Sequence, residues 1–208
     1  MLFRSNRRTE QALFKSFARS YLLLAIFLLV IACSPKLNWR IVQAPEQRYT
    51  ALFPGKPDKL ERKISIGDQQ FVQTLEAVKL EDDIYSISSI EIPAKDVKAD
   101  LVQKITAQLQ SNLLDRAKAS GGSVVDEAAY FQNSQRQRLQ TKDYYIFFGG
   151  DVKVKQTMRV RWITRANADG GVWIYQLSVL HTNADSNNAK ILLSKEEYSN
   201  FFNEFYPE

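Results

Sequence analysis

Apolar and polar residues alternate along much of the second half of the chain. Trp173, Tyr175, Leu177 and Val179 are separated by Ile174, Gln176 and Ser178, and Met158, Val160 and Trp162 by Arg159 and Arg161. A period of two sets each group on one face of a strand. Strands are therefore predicted over 123–131, 137–148, 153–165 and 172–182, broken by Gly149-Gly150-Asp151 and by the Asn167-Ala168-Asp169-Gly170-Gly171 run. The first half reads likewise, with short strands at 39–42 and 49–53 split by Ala44-Pro45-Glu46, and longer ones at 59–66, 70–80 and 84–92. Gly67-Asp68 is a hairpin signal, and Glu81-Asp82-Asp83 marks the next turn. Between the halves the period changes. Leu101, Ile105, Leu109, Leu113 and Ala117 recur every four residues, with Lys104, Gln108 and Asn112 between them, which predicts an amphipathic helix closed by Gly121-Gly122. A coiled-coil seam fits the spacing, but a helix laid on a sheet is the commoner use of such a face. Ser194, Lys195, Glu196 and Glu197 form a capping-box pattern for a last helix whose Tyr198, Phe201, Phe202 and Phe205 should face the sheet.

The N-terminus has a different pattern. Arg4, Arg7, Arg8, Lys15 and Arg19 stand against one acid, Glu10, and no charge falls between Tyr21 and Ala32. A basic segment followed by a short apolar run is the signature of a secretory signal. Twelve helical residues reach only about 18 Å, short of a hydrocarbon core of about 30 Å. The alternative is an uncleaved N-terminal inner-membrane anchor, extended back past Arg19 and Lys15 with both snorkelling. Under either reading residues 34 onward lie outside the cytoplasm.

The run ends Leu29-Val30-Ile31-Ala32-Cys33, with an aliphatic residue three before the cysteine and a small one directly before it. This resembles the lipobox of bacterial lipoprotein precursors. The resemblance implies that Cys33 takes a diacylglyceryl group and becomes the first residue of the mature chain. It also implies a signal peptide over 1–32, a lipidated tether over 33–38 and one domain over 39–208. Two acyl chains on one residue make a stable anchor, where one is marginal. Ser34 after the cysteine leaves the inner and the outer membrane both open as its place, with the domain facing the periplasm.

Further along, Trp39-Arg40-Ile41-Val42 and then Tyr49-Thr50-Ala51-Leu52-Phe53-Pro54-Gly55-Lys56-Pro57 are similar to the start of exported bacterial proteins with an FPGKP element. A Tyr-rich strand, the long helix, a Gly-Gly turn, a basic strand with Arg159 and Arg161 and a Phe-rich ending follow in the same order. This order resembles the PsbP-like (DcrB-like) family. The fold class so implied is α+β, a twisted antiparallel sheet flanked by helices in an α/β/α sandwich. Family membership implies no shared catalytic set, since members of one fold bind different partners.

Composition narrows the function. The chain has 28 Lys+Arg and 23 Asp+Glu, but the leader holds five of those bases and one of those acids. What remains is 23 against 22, which gives no support for nucleic-acid binding. One cysteine allows no internal disulfide, and one histidine beside it cannot build a Cys/His metal site, so no cofactor or metal is expected.

Two candidates for chemistry remain. His181 ends the apolar face of its strand, but no Gly-x-Ser-x-Gly elbow supplies a nucleophile for it, so a structural role is favoured. Lys153, Lys155, Arg159, Arg161 and Arg165 share one parity of the 153–165 strand. They read either as a patch for an anionic partner, such as lipid headgroups or an envelope polymer, or as a solvated strand face paired with acids on its neighbours. The solvated face is favoured, because half-exposed antiparallel sheets commonly look so. Phe53-Pro54-Gly55-Lys56-Pro57 lacks the spacing of a phosphate loop and reads as a rigid strand exit. The expected role is non-enzymatic binding of an envelope protein or component, with an enzyme or small-ligand carrier as the alternative.

Overall fold

The long alternating stretches become β3 (Asp58–Ile66), β4 (Gln69–Leu80), β5 (Asp83–Ile92), β6 (Ser123–Gln132), β7 (Arg138–Phe148), β8 (Gln156–Ala166) and β9 (Val172–His181). All pair antiparallel, in the order β3-β4-β5-β9-β8-β7-β6. A second, three-stranded sheet joins β1 (Arg40–Ala44), β2 (Tyr49–Phe53) and β10 (Phe205–Pro207) in the order β1-β2-β10. The architecture is thus α+β and mostly antiparallel sheet. A computed structural model describes residues 37–67, 69–149, 155–183 and 188–208, and Asn38–Glu208 forms one unit. Cys33, Lys153 and the 1–32 leader lie outside the described residues. Among those described, no helix is long and apolar enough to cross a membrane.

The long helix forms where its period places it, as α1 (Ala99–Ala119). It ends as a glycine C-terminus should: Gly121 takes φ +70°, and Gly122 N–H donates to Ala117 O at 2.9 Å. Gly122 also sits where a Cβ would fall 2.0 Å from Phe147 O, so the helix end and β7 approach too closely for any side chain there. Leu101, Val102, Ile105 and Leu109 pack with Ile90, Ile92, Val172 and Ile174, while Leu113 and Ala117 pack with Ile146, Val160 and Trp162. This explains a departure from the sequence pattern. Ile174 lies on the other parity from Trp173 and Tyr175, yet all three are buried, because β9 is central and covered on both faces.

Trp173, Tyr175, Leu177 and Val179 instead join Tyr49, Phe53, Tyr85, Phe201, Phe202 and Phe205 in the largest apolar cluster. Rings meet edge-on, as Phe53 with Phe201 at 5.3 Å and Tyr175 with Phe205 at 5.2 Å.

The C-terminal region corrects the sequence reading twice. Ser194 does not open the last helix. It closes a short helix, α2 (Ala189–Leu193), and Lys195 stands at the N-cap of α3 (Glu196–Asn203) with no side-chain cap. The Ser194 backbone N–H bonds back to Lys190 O at 3.0 Å and its hydroxyl lies 3.3 Å from Tyr145 Oη, so the capping-box pattern is spent on tertiary contacts. Phe205 lies beyond α3, in β10, where pairing with β2 buries it as fully as the helix phenylalanines. The apolar spacing located the stripe but not the change from helix to strand inside it.

Candidate functional site

Arg159 and Arg161 are buried, at 5% and 2% exposed, which overturns the solvated-face reading for both. β7 explains it. Asp143 is the cross-strand partner of Arg161, and its carboxylate is itself buried. Arg161 Nε donates to Asp143 Oδ1 at 2.6 Å and its Nη2 to Oδ2 at 2.9 Å, while Arg159 Nη2 reaches Oδ2 at 2.6 Å. Two cations face one anion, and carbonyls take up the remainder. Arg159 Nη1 donates to Leu193 O at 3.0 Å and Arg161 Nη1 to Phe202 O at 2.8 Å. These carbonyls are at the C-terminal ends of α2 and α3, where the helix dipole favours a cation. Arg159 also lies 4.2 Å over the Phe202 ring. Burial pushes the Asp143 carboxyl upward, but the bonds and charges of Arg161 and Arg159 outweigh it and hold the group below the ordinary aspartate value. The five basic residues therefore do not form one patch. Arg159 and Arg161 tie the sheet to the C-terminal helices, Arg165 is half-buried, Lys155 is exposed just before β8, and Lys153 lies outside the described residues.

His181 is likewise engaged. Its Nδ1 lies 2.7 Å from Asp83 Oδ1 and its Nε2 3.0 Å from Asn183 O. With an oxygen acceptor at each ring nitrogen, neither has a lone pair turned to a substrate, and a general base needs one. Tyr198 Oη donates to Asp83 Oδ2 at 3.1 Å, so the cluster pins α3 to the start of β5. Burial and the Asp83 carboxylate raise the Tyr198 hydroxyl above the ordinary tyrosine value. Thr182 N–H donates to Asp82 O at 2.8 Å, which draws the acidic 81–83 turn into the same joint and accounts for it without catalysis.

The concave surface that remains lies across the small sheet. Thr50 and Tyr206 are cross-strand partners there, and the β6–β7 turn faces them through Gln132, Ser134 and Arg136. Together with Glu208 they line an open cleft of about 700 Å³. Asn133, 1% exposed, builds the turn: its Oδ1 accepts from Gln135 N–H at 3.1 Å and Gln137 N–H at 2.9 Å. That folding places Arg136 at φ 60°, a left-handed conformation that costs a side-chain-bearing residue energy. Ser134 N–H donates to Pro207 O at 3.1 Å and docks the turn on β10. The Glu204 carboxylate accepts from Tyr206 Oη at 2.8 Å and, with burial, raises that hydroxyl. The cleft thus offers a guanidinium, hydroxyls and amides, a set suited to hydrogen bonding with a polar or anionic group. Among the described residues no three His, Cys, Asp or Glu side chains stand together as a metal site. The sequence reading did not single out this cleft. Its only sequence trace is the Asn133-to-Gln137 turn composition, which predicts a turn and no ligand.

No protein-family model matches the chain, and no curated protein matches it. Among solved structures it is similar to the solution structure of cyanobacterial PsbP (CyanoP) from Synechocystis sp. PCC 6803, at 16% sequence identity and a TM-score of 0.44, over 85% of this chain and 97% of that one.

Proposed function

We propose that this chain is a cell-envelope lipoprotein, anchored through lipid on Cys33, whose Asn38–Glu208 domain binds an envelope protein or an anionic component and catalyses no reaction. The observation that carries the reading is Val30-Ile31-Ala32-Cys33 at the end of a twelve-residue uncharged run behind a basic leader. Asn38 N–H already bonds to Pro54 O at 3.1 Å, so a lipid on Cys33 would hold the domain within a few residues of the bilayer. We read the sheet with its helices as a PsbP-like sandwich, on the strength of the FPGKP start and the element order. The domain faces the periplasm, from the inner or the outer membrane. Nucleic acid, metals and cofactors are not part of this reading.

The anchor is tested by a fatty-acid probe in a bacterial host. The parent is expected to take the label, and Cys33→Ser to accumulate as a larger, unlabelled precursor. Equal labelling of the two would refute the anchor. Binding is tested at the cleft, since the basic strand that first suggested an anionic partner is half committed to Asp143. Arg136→Glu should remove whatever envelope component is recovered with the parent, while the exposed Lys104→Glu on α1 leaves recovery unchanged. Loss of recovery with both variants, or with neither, would contradict a binding role for the cleft.

A further inference from the structure

We propose that β3 is the seam of a homodimer, in which a second copy of the chain adds its own β3 antiparallel and continues the large sheet. β3 is an end strand of that sheet and pairs only with β4. Its residues Asp58 to Lys63 are all exposed, Leu60 at 60%. Alternate residues of such an edge turn N–H and C=O to solvent, ready to pair. The opposite edge is not comparably open: β6 gives Tyr130 O to Arg161, and its turn is docked on β10 through Ser134.

Charged edges commonly serve to block pairing. The order of charges in β3 separates a block from a code. A two-fold pairing centred on Glu61 would oppose Glu61 to itself and Lys59 to Lys63 twice, and one centred on Lys63 would oppose Lys63 to itself. Centred on Arg62, the pairing sets Glu61 against Lys63 of the second copy twice, and Leu60 against Ile64 of the second copy twice. Opposite charges and apolar pairs directly across a ladder are stabilising, and like charges are not. The one like pair in that register is Arg62 with itself, and Arg62 is drawn back onto its own sheet, with Nε donating to Gln73 Oε1 at 2.7 Å. Leu60 pairs with Leu75 and Ile64 with Phe71 inside each copy, so the joint would continue an apolar row from Leu75 and Leu60 to Ile64 and Phe71 of the second copy. A one-residue shift would oppose the two faces of the strand and lose this match.

The test uses the full chain, purified in detergent, with its protein mass read by sedimentation. The parent should sediment as a dimer. Glu61→Lys alone and Lys63→Glu alone should each give the protomer at the same concentration, and the two reversals together should restore the dimer. In a Cys33→Ser background, oxidation should join Arg62→Cys into a covalent dimer, because residue 62 meets itself at the two-fold centre within disulfide reach. Lys59→Cys, which meets Ser65 instead, should stay uncrosslinked. A parent at protomer mass throughout, or a Lys59→Cys crosslink at least as efficient as that of Arg62→Cys, would overturn the proposal.

Discussion

Asp143→Ala should destabilise the domain by about 3–5 kcal/mol, because it leaves two guanidinium groups buried without their anion. The cost arises on the arginine side. Arg159 and Arg161 keep their bonds to Leu193 O and Phe202 O, but those carbonyls carry only partial charge. Asp126→Ala, which breaks the exposed Lys142–Asp126 pair at 2.9 Å, should change stability by less than about 0.5 kcal/mol. Denaturant melts of the three proteins make the comparison. The pH dependence follows the sign of the shift. Because the Asp143 carboxyl is held below its model value of 3.8 in the fold, its contribution is complete above that value. It is lost as pH falls through the lower folded value. The parent should therefore lose stability steeply below about pH 4, and Asp143→Ala should show a shallower acid limb. A full-strength acid limb in the variant would place the acid sensitivity elsewhere.

The second large effect is expected at Phe201. Its ring is fully buried and meets Phe53 at 5.3 Å, Tyr85 at 5.4 Å and Phe202 at 5.4 Å. Phe201→Ala removes a buried aromatic that joins α3, β2 and β5, at a cost of about 3–5 kcal/mol. For a domain of this size the melting point should fall by about 10 °C. Ile41→Ala is the control, since Ile41 on the outer face of β1 is 74% exposed, and its melting point should hardly move. A Phe201→Ala protein that melts with the parent would mean that the aromatic stripe is a docking surface and not a core.

Periodicity made most of the fold legible. The alternation over Trp173 to Val179 and the four-residue spacing from Leu101 to Ala117 are each the direct imprint of one buried face, and β9 and α1 follow them. What escaped was set by partners distant in sequence. Nothing within 153–165 shows that Arg159 and Arg161 point inward, because their parity reads the same whether the face meets water or a carboxylate. The signal sat on the neighbouring strand, where Asp143 precedes Tyr144, Tyr145, Ile146 and Phe147 as an acid with an apolar setting. The same holds at Ser194, whose local pattern fits a cap, yet whose hydroxyl is drawn to Tyr145, 49 residues away in the chain. The cleft was illegible for a different reason. Thr50, Arg136 and Tyr206 come from three separate segments and meet only because β10 joins β2.

The lipid anchor is the claim on which the address and the functional reading both depend. Mass analysis of the N-terminal peptide of the protein recovered from bacterial membranes tests it most directly. The expected result is a peptide that begins at Cys33 and carries a diacylglyceryl mass on its thiol. A peptide that begins before Cys33, or one with Cys33 as a free thiol, would contradict it.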